Sequence, residues 1–168
     1  MRSDFDSVGD FHRKFGLPAT QEPRRMTPTL AERTQPRVVD DSTARFRLLF
    51  LIEELREIAK GYGVEMNIVL HRIEGAPQDL PAIADGLVDL VYVALGTAHL
   101  HGLPWPELFA EVQRANMTKE RATGSGDERS TRGHSLDVVK PAGFTPPRIV
   151  ETLMAAGWPG PALPLGGE

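Results

Sequence analysis

The chain has no cysteine among its 168 residues, which excludes a disulfide framework and a thiolate zinc site and suits a reducing interior. It also lacks a P-loop, a GxGxxG turn and a GxSxG elbow, so the familiar nucleotide-binding and hydrolase folds gain no support. No glutamate is followed three residues later by histidine, the pairing a four-helix di-iron centre needs. Positive charge is not in excess. A net charge of −4 and a pI near 5.8 give no general attraction to nucleic acid or an anionic membrane. The opening MRSDFDSVGDFHRKFG lacks the apolar core of a signal peptide, so a soluble, cytoplasmic protein is expected. Internal repeats and strand-like alternation of useful length are missing as well.

What is present is one long apolar run. Between Pro81 and His99 the only charges are Asp85 and Asp89, inside AIADGLVDLVYVALGTA. Apolar on every face, this stretch predicts a helix buried all round. Two aspartates near its middle, each costing about 2.5–3.5 kcal/mol on insertion scales, argue against a membrane span. A buried carboxylate is costly unless it is paired or holds a metal. At i and i+4 the two point the same way, about 40° apart.

An earlier segment, LLFLIEELREIAK, supplies Glu53, Glu54 and Glu57 within an arc of about 100°. A solvated helix face, with Arg56 and Lys60 as intrahelical partners, would explain these three alone. Phe46 and Phe50 lie along the same stripe, however, which points to a partly covered face. Two helices that each bring carboxylates to one point make a site for a hard divalent cation, and five carboxylates without cysteine suit Mg²⁺ or Mn²⁺.

The rest of the chain reads as all-α. Ser3 and Asp6 give a capping signal for a helix over residues 3–15, with Phe5, Val8, His12 and Phe15 near one face. Residues 17–42, carrying Pro18, Pro23, Pro28 and Pro36, read as an extended arm that crosses a neighbouring surface or a second subunit. Asp41-Ser42-Thr43 caps a helix running to about Lys60, and Val64–Ile73 reads as a short further helix. The apolar helix runs from Pro81 to about His101-Gly102, with His99 and His101 marking its exposed end. A fourth helix runs from Pro106 to about Lys119, with Leu108, Phe109, Val112 and Asn116 on its inner face. Residues 120–139 have the composition of a mobile loop. A short last helix starts at Pro146-Pro147 and stops at Gly157. One domain over residues 1–158 and a disordered tail over 159–168 are expected. Arg114, Lys119, Arg121 and Lys140 are candidate phosphate contacts beside Asn116.

With these residues in place, the chain resembles the MazG-like all-α nucleoside triphosphate pyrophosphohydrolases, closest to the short phage and bacterial type. Glu53-Glu54-Leu55-Arg56-Glu57 matches the family's EExxE, and Asp89 in DGLVDLVYVALGTA matches the aspartate of its ExxD. EVQRANMTK (Glu111–Lys119), KPAGFTPP (Lys140–Pro147) and DFHRKFGLP (Asp10–Pro18) are similar to further family segments. Where the pattern has the glutamate of ExxD this chain has Gly86, with Asp85 beside it and on the same side as Asp89. The resemblance implies a four-helix core and Mg²⁺-dependent hydrolysis of a nucleoside triphosphate to the monophosphate and pyrophosphate. It implies Glu54, Glu57, Asp85 and Asp89 as metal ligands, with Mn²⁺ as a possible substitute, and Glu53 as the residue that orients or deprotonates the attacking water. Lys119 and Lys140 would meet the phosphates, Asn116 the sugar or base, and Phe11 or Phe15 would stack on the base. A homodimer or homotetramer is implied, with no nucleic acid or membrane partner. The alternatives are phosphoribosyl-ATP pyrophosphohydrolase and a catalytically inactive helical dimer that binds nucleotides or acts as an interaction protein.

Overall fold

Caps and glycines set the element boundaries. The computed structural model describes residues 3–17 and 36–160. Helix α1 (Asp4–Lys14) opens on a capping box: the Asp6 N–H donates to Ser3 Oγ at 3.2 Å and the Ser3 N–H donates to the Asp6 carboxylate at 3.3 Å. Helix α2 (Asp41–Gly61) is capped by Asp40, which accepts from the Thr43 N–H at 2.9 Å and its hydroxyl at 2.7 Å. Those bonds, the hydroxyl first, hold the Asp40 carboxyl below its usual range. Helix α3 (Leu80–Leu100) is followed by Gly102 at φ 61°, a conformation that costs glycine little. Helix α4 (Trp105–Asn116) has Pro106 in its first turn. Strands β1 (Glu120–Arg121) and β2 (Val138–Val139) pair antiparallel, and α5 (Ile149–Ala155) ends at Gly157 with φ 100°. Among the described residues, the regular structure apart from these two short strands is all α-helix, and the fold class is all-α.

Three elements differ from the expectation. Residues 64–73 form no helix: the Arg56 guanidinium donates to Met66 O at 3.3 Å and Ile68 O at 3.0 Å, and Val64, Ile68, Val69 and Ile73 are β-branched. Arg56 is therefore spent on that segment. Helix α4 stops at Asn116 because the chain turns into β1, and α5 starts only after two prolines that have no N–H to give. Residues 18–35 of the expected arm and 161–168 of the expected tail lie outside the described residues.

The chain divides into two compact units, residues 35–88 and residues 1–34 with 89–168. In the first, Arg72 pairs with Asp41 at 2.5 Å and Gln78 Nε2 donates to Val39 O at 2.8 Å and to Asp41 at 3.1 Å. The Arg72 bond lowers the Asp41 pKa.

In the second unit α1 and α4 run side by side in the same direction. Trp105 Nε1 donates to Asp4 at 3.0 Å, Gln113 Nε2 to Ser7 O at 2.8 Å, and Lys14 Nζ to Met117 O. Phe15, Ala115, Ala122, Val138 and Val139 are buried here. Residues 120–139, expected as a mobile loop, carry the β1–β2 pair and a dense set of ties. Asp127 accepts from the Thr123 and Arg129 N–H groups, both at 3.0 Å, and pairs with the Arg129 guanidinium at 2.9 Å. Arg129 also pairs with Glu120 at 2.9 Å. Asp137, 1% exposed, accepts from Ser130 Oγ at 2.7 Å and Arg132 Nη1 at 3.0 Å. The Arg129 bond, first among several, holds the Asp127 carboxyl well below the usual range.

Helix α5 is latched to α4 by Glu111, whose carboxylate pairs with Arg148 at 2.6 Å and Arg114 at 3.1 Å. The Arg148 hydrogen bond is the main cause of a Glu111 pKa lowered to about 2 from 4.5. A depressed carboxylate pKa stabilises the folded form above the unfolded value and loses that effect as pH falls through the folded one. Amide protection in α5 is therefore expected to hold above pH 4.5 and to fall between pH 4.5 and about 2. Hydrogen exchange checks this; a Glu111→Gln variant should show low α5 protection throughout.

Helix α3 departs most from expectation. It is not buried all round: Ala98 is its one buried residue, while Val88 is 67% exposed, Val91 58%, Tyr92 78% and Val93 64%. A helix apolar on every face needs neighbours on every face, and a single chain leaves much of this surface uncovered. By length and composition it is long and apolar enough to cross a membrane.

Candidate functional site

The carboxylates lie on two long helices. Glu53, Glu54 and Glu57 follow Phe46 and Phe50 along one stripe of α2; Phe46 is 5% exposed and meets Phe50 edge-on, centroids 6.1 Å apart. Glu53 is half-buried, and Glu54 and Glu57 are exposed. Asp85 and Asp89 project from one side of α3. They are exposed, not buried as expected, and so keep their water in the single chain.

These side chains fit a hard divalent cation by type, being oxygen donors without a competing thiolate. Among the described residues, no group of three or more His, Asp or Glu lies close enough to hold a metal ion.

At Gly86, the position of the missing glutamate, an added Cβ would meet nothing within 4 Å. The space there is open. Gly86→Glu is therefore expected to fold and to raise stability by up to about 1 kcal/mol, since glycine is a poor helix residue. Urea melts measure this, and a lower midpoint would mean that the position is crowded.

The second unit gathers the other candidates. Asn116 ends α4 and Lys119 follows its last turn. Lys140 leaves β2 with its ammonium 5.5 Å from the Phe144 ring centroid. Phe15 is buried, edge-on to Phe11 with centroids 4.7 Å apart, and Phe11 is half-buried. Arg114 is engaged by Glu111 and by Pro146 O at 3.0 Å. Arg121 donates to Phe15 O at 2.7 Å and Gly16 O at 2.9 Å. Both arginines thus tie backbone segments together. His99 and His101 are exposed, as expected of a helix end.

Two groups are not among the candidate residues read from the sequence, although Lys14 lies inside the DFHRKFGLP segment. The Asp137–Arg132 pair fixes the hairpin, and Lys14 reaches α4 from the end of α1. Only the basic last turn of α1, Arg13-Lys14, hints at the second.

A family model described as phosphoribosyl-ATP pyrophosphohydrolase matches residues 8–116. That range holds all five carboxylates, Phe11, Phe15 and Asn116, and ends before Lys119 and the hairpin. No curated protein and no solved structure matches the chain.

Proposed function

Because the chain belongs to the phosphoribosyl-ATP pyrophosphohydrolase family, within the MazG-like all-α superfamily, we propose that it hydrolyses the α–β anhydride of a nucleoside triphosphate, ribo or deoxyribo. The products are a nucleoside monophosphate and pyrophosphate. Membership in the family makes the protein a nucleotide pyrophosphohydrolase, a hydrolase of acid anhydrides. The observation that carries the finer reading is the donor set: Glu54 and Glu57 on α2 with Asp85 and Asp89 on α3, all oxygen ligands.

Phosphoryl transfer needs charge neutralisation and in-line positioning more than covalent chemistry. Bound Mg²⁺, or Mn²⁺, would supply that neutralisation and acidify a water. Glu54, Glu57, Asp85 and Asp89 would hold it. Glu53 would orient the attacking water or take its proton. Lys119 and Lys140 would meet the phosphates and Asn116 the sugar or base. Phe11 is the more accessible ring for stacking, because Phe15 is buried behind it.

A second substrate, phosphoribosyl-ATP, is favoured by the family match itself. The bond cleaved is of the same kind. A pyrophosphate-release assay in Mg²⁺, across NTPs, dNTPs and phosphoribosyl-ATP, tests both. Release from an NTP or dNTP supports the first reading, and release from phosphoribosyl-ATP alone selects the second. No release from any of them overturns both and leaves a nucleotide-binding protein.

The protein acts as a soluble, cytoplasmic homodimer or homotetramer, with a second copy covering α3. The exposed apolar side chains of that helix and its two aspartates fit a protein neighbour better than lipid. Val91→Glu is expected to shift the protein to monomer in sedimentation velocity while leaving its helix content unchanged. A wild-type protein that sediments as a monomer would sink the assembly.

A further inference from the structure

After α2 the chain turns back through Gly63, which has φ 72°. The Gly63 N–H donates to Lys60 O at 2.9 Å and the Val64 N–H to Ala59 O at 2.8 Å, which closes the last turn of the helix. The returning segment is held by the Arg56 guanidinium, which donates through Nε to Met66 O and through Nη2 to Ile68 O. Between helix and segment lies a cleft of about 490 Å³, lined by Arg56 and Lys60 on one side and by Val64, Glu65, Met66 and Asn67 on the other. All of it belongs to the compact unit of residues 35–88.

Arg56 and Lys60 stand at i and i+4, so their like charges repel along the helix. The guanidinium is fixed by its two carbonyls and cannot swing away. Among the described residues neither its Nη1 nor the Lys60 ammonium has a partner. An anion set between them turns the repulsion into attraction, and a guanidinium and an ammonium together suit a phosphate. Lys60 also continues the stripe of Glu53 and Glu57, about 20° from the first and three residues beyond the second. The cleft therefore opens beside the acids of the proposed site.

The rest of the lining narrows the ligand. A simple anion would be repelled by Glu65 and would leave most of the volume empty. A stacked base is disfavoured, because none of the lining residues is aromatic. A sugar phosphate answers every group. Its phosphate meets the two cations, the Glu65 carboxylate accepts from a pair of ring hydroxyls, and the Asn67 amide can both donate and accept. Val64 and Met66 face the C–H side of the ring. We propose that this cleft is a sugar-phosphate site of the ribose 5-phosphate class, with Lys60 and Arg56 Nη1 on the phosphate and Glu65 and Asn67 on the hydroxyls. For the enzyme it rests on the second substrate reading, phosphoribosyl-ATP, and deepens it: the cleft takes the phosphoribosyl arm, which an NTP lacks.

The test is calorimetric binding of ribose 5-phosphate and of inorganic phosphate to the full chain in EDTA, alongside the pyrophosphate-release assay. Lys60→Gln is expected to weaken both ligands roughly tenfold, as for the loss of a charge-assisted hydrogen bond. Glu65→Gln should separate them: ribose 5-phosphate binds more weakly because the hydroxyls lose their charged acceptor, and inorganic phosphate binds more tightly because a like charge is gone. Arg45→Gln, far along α2, should match wild type. Arg56 stays in place, since it also holds residues 66–68. In turnover, Lys60→Gln should raise KM for phosphoribosyl-ATP roughly tenfold, with kcat within about twofold and KM for an NTP unchanged. No ribose 5-phosphate binding by the wild type, or binding that neither variant alters, overturns the cleft. Turnover of phosphoribosyl-ATP with that result keeps the substrate reading and removes the cleft. Lysine-dependent ribose 5-phosphate binding with turnover of NTPs alone keeps the cleft, as a site for a free sugar phosphate, and removes the second substrate reading.

Discussion

Asp89→Asn is expected to lower pyrophosphate release roughly 10³-fold or more while leaving the fold intact. The amide has the same shape but no charge, and a ligand to the cation that neutralises developing phosphate charge contributes several kcal/mol to the transition state. Asp89 is exposed on α3, so the change removes no buried partner. Circular dichroism and melting in EDTA should therefore match wild type. Combining it with Glu54→Gln should cost little more than the worse single change, because ligands of one centre act as a unit. Fully additive losses would assign the two acids to separate roles, and retained activity in Asp89→Asn would remove it from the site. Asp85 answers the same question at the position beside Gly86. If it is a ligand, Asp85→Ala should melt no lower than wild type without Mg²⁺ and gain less than wild type when Mg²⁺ is added.

The largest loss of stability is expected from the hairpin. Asp137 is 1% exposed and its carboxylate is held by Ser130 Oγ, Arg132 Nη1 and the Val138 N–H at 2.9 Å. Arg132 is itself 18% exposed in its side chain. Asp137→Ala removes the acceptor of all three donors from a site with little access to water, at a cost of about 3–5 kcal/mol. Chemical denaturation measures it. Asp137→Asn, which keeps an acceptor, should lose less, and Asp127→Ala less again because its partner Arg129 is more exposed. A loss under about 1 kcal/mol in Asp137→Ala would mean that the pair is dispensable to the hairpin.

Local signals carried the helices. The Ser3–Asp6 box, the acidic cap of α2 (Asp40, one residue before the expected Asp41), the glycines at 102 and 157 and the prolines before α4 and α5 act within one or two turns of chain, and each is visible in the residues beside it. The EExxE stripe and the Asp85/Asp89 pair follow from helical period alone. Residues 64–73 escape such signals, because the tie that decides them comes from Arg56, across a turn that local propensity does not see.

By itself the sequence determined an all-α chain and, through its acids and their spacing, the superfamily; the family that matches is the one it held as an alternative. Only the tertiary structure decided the rest. It showed that 120–139 is a cross-tied hairpin, because two antiparallel residue pairs and a buried carboxylate are long-range pairings without a periodic signature. It left α3 exposed in the single chain, because hydropathy reports what a surface needs covered and not which chain covers it. It paired Glu120 with Val139 and Arg121 with Val138, because register, and not sequence distance, decides which residues meet across a pair of strands.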